Sequence, residues 1–147
     1  MTNETLKAGG IIIHKNNNKL HVLLLYRGKE KDWSFPKGHI EPNEKIEETV
    51  IREMKEETGL TVKLVRELPP HEYINTRTGE KNKIFMYILE PLSLNLKTEH
   101  INDALEWVEI DRVASIVSYE NIKKYFLSVL DIIYEQYQRQ NGGYPFY

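Results

Sequence analysis

At 147 residues, with 20 basic and 22 acidic side chains, the chain has room for one hydrophobic core and carries no global charge excess toward duplex nucleic acid or an anionic membrane. It contains no cysteine, which excludes disulfides, thiolate zinc sites and a cysteine nucleophile and leaves oxygen or imidazole groups as metal ligands. The opening "MTNETLKAGG" has no apolar signal core and no apolar run nears the roughly 20 residues that span a bilayer, so the sequence predicts a soluble, cytoplasmic protein of one domain, 1–147.

The first elements are two aliphatic runs, "GGIIIH" (Gly9 to His14) and "KLHVLLLYR" (Lys19 to Arg27), joined by "KNNN". Asparagine tolerates positive φ, so this reads as a β-hairpin. A charged loop, "GKEKD", leads to "WSFPKGHIEPNE", whose proline and glycine content fits a short strand entering a shaped loop. From Asn43, an acceptable N-cap, Ile46, Val50 and Met54 recur every four residues and Gly59 supplies a stop, which predicts a helix of about four turns.

Leu60 to Leu68 and Lys83 to Glu90 read as strands around the turn-rich "NTRTGEKN", followed by a short strand at Glu106 to Ile110. Ile122, Phe126, Val129, Ile133 and Tyr137 mark a second amphipathic helix, ended by "NGG". Strands thus precede, separate and follow two helices without regular βα alternation. The expected fold class is α+β, an α/β/α sandwich with a mixed sheet. The aromatic tail "YPFY" has no assignment.

The first helix carries the chemistry. Glu53 is three and four positions from Glu56 and Glu57, hence their neighbour on the helix surface. On the helical wheel Glu53 and Glu57 each lie about 20° from Ile46, at the border of the apolar stripe rather than opposite it. Partial desolvation would make each like-charge pair cost roughly 3 kcal/mol at about 5.5 Å and an effective dielectric near 20, so a cation is called for. Hard oxygen ligands suit magnesium or manganese.

Read from Gly38, the chain fits GX5EX7REUXEEXGU through Gly38, Glu44, Arg52, Glu53, Met54, Glu56, Glu57, Gly59 and Leu60. This resembles the signature of the Nudix family of pyrophosphohydrolases. The resemblance implies a Nudix fold, with the motif as loop, helix and loop, and metal-dependent hydrolysis of a nucleoside diphosphate linked to another moiety. It further implies that Glu53, Glu56 and Glu57 bind Mg2+ or Mn2+, with the backbone carbonyl of Gly38 as a further ligand and Glu53 also as general base. Glu44 lies far round the wheel from these three, which gives it a supporting role or that of a helix-dipole acid. Arg52 orients a motif carboxylate, with Glu56 at i+4.

Outside the motif, Glu99 in "KTEHI" occupies a loop where several members of the family place another metal ligand or base. A surface acid is the alternative. Arg27 and Lys37 are candidate phosphate contacts; Phe35, Tyr73 and Trp33 are candidates to stack on a base or to be core. His39 sits in the motif loop with a structural or solvent-facing role expected. Asn43 stands where relatives commonly have glycine, and asparagine is the best other residue for positive φ.

The lead-in "WSFPKGHIEPNE" looks like that of dinucleoside polyphosphate hydrolases such as those acting on diadenosine tetraphosphate. It is similar also to those of diphosphoinositol polyphosphate hydrolases and of sanitising triphosphate pyrophosphatases of the 8-oxo-dGTP type. A non-catalytic Nudix sensor of a nucleotide or ADP-ribose is the alternative of another class. The expected partner is a small-molecule nucleotide, with no duplex nucleic acid and no membrane, and the chain is a monomer or a homodimer.

Overall fold

The computed structural model describes residues 4–140. The "NGG" stop and the "YPFY" tail lie outside the described residues. Seven strands run β1 (Glu4–Asn16), β2 (Lys19–Arg27), β3 (Asp32–Ser34), β4 (Lys37–His39), β5 (Val62–Ile74), β6 (Lys81–Pro91) and β7 (Ala104–Glu109). The helices are α1 (Ile46–Thr58), α2 (Val113–Ile116), which follows a 3-10 turn at Ile110–Arg112, and α3 (Glu120–Gln140).

The strands form a mixed sheet in the order β3-β2-β1-β6-β5, with β4 also on β1 and β7 also on β2. Only the β1–β6 pairing is parallel. The hairpin is as expected: Ile13 faces Val22 and Asn16 faces Lys19, and the turn residues Asn17 and Asn18 have φ of 53° and 63°. Positive φ at both central positions gives the twist that matches flanking strands.

The unbroken aliphatic runs of β1 and β2 are explained by burial on both faces. Ile11, Ile13, Val22 and Leu24 join one core with Phe126, Val129, Ile133 and Tyr137 of α3. Their sequence neighbours Ala8, Ile12 and Leu23 join a second core with Val50 and Met54 of α1. Helices therefore cover both faces, the expected α/β/α sandwich.

Three local differences from the sequence reading have physical causes. β5 continues past Leu68 through Pro69 and Pro70, because it lies at the end of the strand order and its register shifts between Leu68 and His71; a bulged edge strand tolerates missing amide donors. The expected single strand at "WSFPKGH" is two, β3 on β2 and β4 on β1, parted by Phe35 and Pro36. The N-cap of α1 is Lys45, whose amide donates to Glu48 at 2.8 Å, while Asn43 lies before the helix with φ 65°.

Candidate functional site

β1 divides its outer edge between two partners: β4 pairs with Lys7 to Gly9, and β2 with Ile13 to Asn16. At this fork lies a cleft of about 380 Å³, lined by Lys7, Leu25, Arg27, Ser34, Phe35, Lys37 to His39, Glu41, Arg52, Glu53, Glu56, Glu57 and Glu99. Ten of the sequence candidates meet here or directly behind it; Tyr73 does not.

α1 positions the acids by period and by neighbours. Glu53 is 9 % exposed, and a Cβ at residue 38 would overlap its carboxylate, so any larger residue there would have to displace it. Burial pushes the Glu53 carboxyl above its ordinary range, against the opposing effect of Arg52. Burial also pushes Glu57 up to about 7, although its Oε1 accepts the Lys37 amide proton at 2.9 Å. Two half-buried carboxylates with raised affinity for a proton also have raised affinity for a cation.

Arg52 gathers the acids. Its Nε donates to Glu44 Oε2 at 2.8 Å, its Nη1 to Glu53 Oε1 at 2.7 Å and Glu56 Oε2 at 3.1 Å, and its Nη2 to Glu44 Oε1 at 2.9 Å and the His39 carbonyl at 3.1 Å. Glu44 also accepts from the Thr49 hydroxyl at 2.6 Å and from the Glu41 amide at 3.0 Å. The Arg52 and Thr49 bonds hold the Glu44 carboxyl down to about 2. The wheel misplaced Glu44 because it precedes the N-cap, and the chain folds it back over the first turns of α1.

Glu99 comes from the loop between β6 and β7, 42 residues after Glu57. The Lys97 amide donates to the Thr58 carbonyl at 2.9 Å, and Asp103 Oδ1 accepts the Gly28 amide proton at 3.0 Å, so the loop is tied on both sides of Glu99. The negative charge of Glu99 reaches both Glu53 and Glu57 and contributes to their raised values.

Cations share the cleft with the acids. Arg27 and Lys37 line the cleft as expected, and Lys7 joins them. Sequence reasoning missed Lys7, whose only signal was its place just before the glycine pair at the start of a buried strand. Burial first, and then Arg27 and Lys7, bring Lys37 down to about 8; burial and Arg27 also lower Lys7.

The aromatic candidates divide. Phe35 reaches the cleft but is 5 % exposed and packs on Phe126 at 5.8 Å between ring centroids, as core. Tyr73 is not among the cleft-lining residues and packs beside His71 at 5.1 Å. Trp33 lies against Tyr26 at 5.1 Å. His39 is exposed and gives Arg52 its carbonyl, not its ring.

The donor set fits a hard divalent cation: Glu53, Glu56, Glu57 and Glu99 bring carboxylate oxygens to one cleft, beside backbone at Gly38. Among the described residues no three acidic or histidine side chains converge as a finished metal cluster. Arg52 holds Glu53 and Glu56 toward its own guanidinium.

Comparison with known proteins bears on this site. The yeast Saccharomyces cerevisiae m7GpppN-mRNA hydrolase is 33 % identical over 116 residues, 76 % of this chain but 12 % of that protein. The asymmetrical bis(5'-nucleosyl)-tetraphosphatase of Caenorhabditis elegans is 31 % identical over 121 residues, 78 % of this chain and 86 % of that one. A crystal structure of a C. elegans Ap4A hydrolase binary complex superposes with TM-score 0.76 at 21 % identity, covering 88 % of this chain and 97 % of the other. The model of the NUDIX domain matches residues 5–130, and with that match over most of its length the chain belongs to the Nudix hydrolase family.

Proposed function

We propose that the cleft hydrolyses a phosphoric anhydride in a nucleoside diphosphate linked to another moiety, with dinucleoside polyphosphates such as diadenosine tetraphosphate as the leading substrate class. The observation that carries the reading is one cleft that gathers Glu53, Glu56, Glu57 and Glu99 together with Lys7, Arg27 and Lys37. The likeness to tetraphosphatases over most of their length supports the substrate class better than the likeness to the decapping enzyme, which spans a small part of that protein.

Glu53, Glu56 and Glu57, with the Gly38 carbonyl and Glu99, are the groups that would hold Mg2+ or Mn2+. Such an ion, when bound, neutralises phosphate charge and acidifies a water ligand. The chain's own residues do the rest. Arg52 fixes Glu53 through Oε1, and Glu53 takes the proton of the attacking water on Oε2, a general-base role worth about 10² to 10⁴ in rate. The Lys37 amide fixes Glu57. Arg27 and Lys37 hold the phosphates through charge-assisted bonds.

The test is product analysis on diadenosine tetraphosphate, 8-oxo-dGTP, a diphosphoinositol phosphate, ADP-ribose and an m7G-capped RNA, each with magnesium, manganese or EDTA. Metal-dependent cleavage of diadenosine tetraphosphate well above the others is the expected result. Preferred cleavage of another compound replaces the substrate class. Binding without turnover on all of them replaces the enzyme by a sensor.

A further inference from the structure

A second cavity lies at the far end of the hairpin from the cleft. It encloses about 340 Å³ between the β1–β2 turn, the 3-10 turn at Ile110–Arg112 and the last turns of α3. Lys7 of β1 lines the cleft and Lys15 of the same strand lines this groove, so the two are parted by roughly 26 Å of extended backbone. The groove's floor is apolar, made by Leu20, Ile110, Tyr134 and Tyr137. Ile110 and Tyr137 belong to the core that α3 covers, and Leu20 and Tyr134 pack against it half-buried. That core is therefore open at this end, through a recess of the size that takes a small ligand.

The walls are held from behind. The Tyr137 hydroxyl donates to Glu90 Oε2 at 2.8 Å, which ties the end of α3 to β6. On the rim Lys19 Nζ meets Glu109 Oε1 at 3.4 Å, and Asn17 and Asn18 keep the turn tight with φ of 53° and 63°. An apolar recess already in shape costs little ordering when something fills it.

The adjoining sequence names an occupant. α3 ends at Gln140, one turn past the groove-lining Tyr137, and the chain goes on as Asn141, Gly142, Gly143, Tyr144, Pro145, Phe146 and Tyr147. Glycine just past a helix is the residue best able to reverse the chain there. Pro145 excludes a further helical turn and biases Tyr144 to extended backbone. In extended backbone residues two apart share a face, so Tyr144 and Phe146 present both rings to one side. Tyr134 is about 9 Å back along the helix from Gln140, and the residues after Gln140 reach roughly 23 Å at full extension, enough to cover the whole floor. A tether this short gives an effective concentration in the millimolar range, which favours the chain's own aromatic segment over a free partner of like chemistry.

We propose that residues 141–147 turn back at Gly142 and Gly143 and lay Tyr144 and Phe146 in this groove, as a strap that ties the end of α3 to the β1–β2 turn. The strap closes the open end of the core and leaves the cleft untouched, so it sets stability and not turnover. The inference is independent of what the cleft hydrolyses. A second copy of the chain, offering the same segment, is the competing occupant.

The direct experiment is nuclear magnetic resonance on the full chain with leucine and isoleucine methyl groups and aromatic rings labelled. The expected result is Overhauser contacts from the Tyr144 and Phe146 rings to the methyl groups of Leu20 and Ile110. A sample mixed from methyl-labelled and ring-labelled chains identifies their source. Contacts confined to one chain support the strap, contacts between differently labelled chains replace it by exchange between two copies, and no contact from either ring overturns it.

Tyr144→Ala/Phe146→Ala in the full chain measures what the strap does. The melting temperature is expected to fall by about 3–6 °C, with kcat and KM within about twofold of wild type. The emptied groove should then accept the free peptide Asn-Gly-Gly-Tyr-Pro-Phe-Tyr: at millimolar peptide the Leu20 and Ile110 methyl signals shift in the double variant and stay in place in wild type. An unchanged melting temperature, or the same response to peptide in both proteins, overturns the proposal.

Discussion

The two long helices flank one sheet and share an amphipathic pattern, yet they bury different things. α3 sends Tyr125, Phe126, Val129, Ile133 and Tyr137 into the core, and its polar face is solvated. α1 buries Val50 and Met54 but also Thr49, Thr58 and the Glu53 carboxylate. A charged group at the core border costs stability unless it is paired, and here Arg52 and the metal-binding chemistry we propose supply the pairing. The difference teaches that α3 is shaped for packing and α1 for holding charge in place, so damage to them should separate into loss of fold and loss of turnover.

The sharpest break is expected at Glu57→Gln. Turnover should fall by about 10³-fold or more, since ligand and charge are both lost. At pH 8 the melting temperature should hold or rise, because the substitution removes a carboxylate whose ionisation burial opposes. Equal losses of turnover and stability would erase the distinction. The opposite break is Phe126→Ala in α3, 1 % exposed, which should cost about 3–5 kcal/mol in chemical denaturation while leaving KM unchanged in the protein that remains folded.

Arg52→Lys sharpens the comparison within α1. Lysine cannot reproduce five directed bonds from one planar group, so a loss of about 1.5–3 kcal/mol is expected together with a clear fall in kcat. A smaller effect should appear in pH dependence. The Glu57 carboxyl is raised from 4.5 to about 7 on folding, so its contribution to the metal-free protein is fully present below pH 4.5 and lost as pH rises through 7. Magnesium competes with that proton, so its measured affinity should climb across the same window, and an affinity flat from pH 5 to 8 would remove Glu57 from the ligand set.

What could be read before the structure followed from periodicity. The alternate residues Ile11, Ile12 and Ile13 carry both cores in consecutive letters, which only a strand covered on both sides would do. The acids of α1 were legible because three and four residues make one helical turn. What stayed hidden was whatever the chain brings together from afar. Lys7, Asp32, Ser34 and Tyr119 each look ordinary in sequence, and they meet at the cleft or behind it because β1 forks between two partners and the loop before α3 folds onto β3. Tyr73, a candidate either to stack on a base or to be core, packs beside His71 and is not among the cleft-lining residues.

The finest test concerns Asn43, which links both kinds of legibility. Its φ of 65° is a left-handed conformation that costs most residues about 1–2 kcal/mol, and it stands just before Glu44 enters the Arg52 network. Asn43→Gly should therefore change stability by only a few tenths of a kcal/mol, while Asn43→Ala should lose about 1 kcal/mol. If the loop serves only as a turn, kcat follows neither change. If it sets the reach of Glu44 to Arg52, kcat of the alanine variant should drop severalfold while KM stays, because a displaced Glu44 loosens the guanidinium that fixes Glu53. A loss of kcat in Asn43→Gly as large as in the alanine variant would show that the asparagine side chain, and not the backbone angle, is what the site requires.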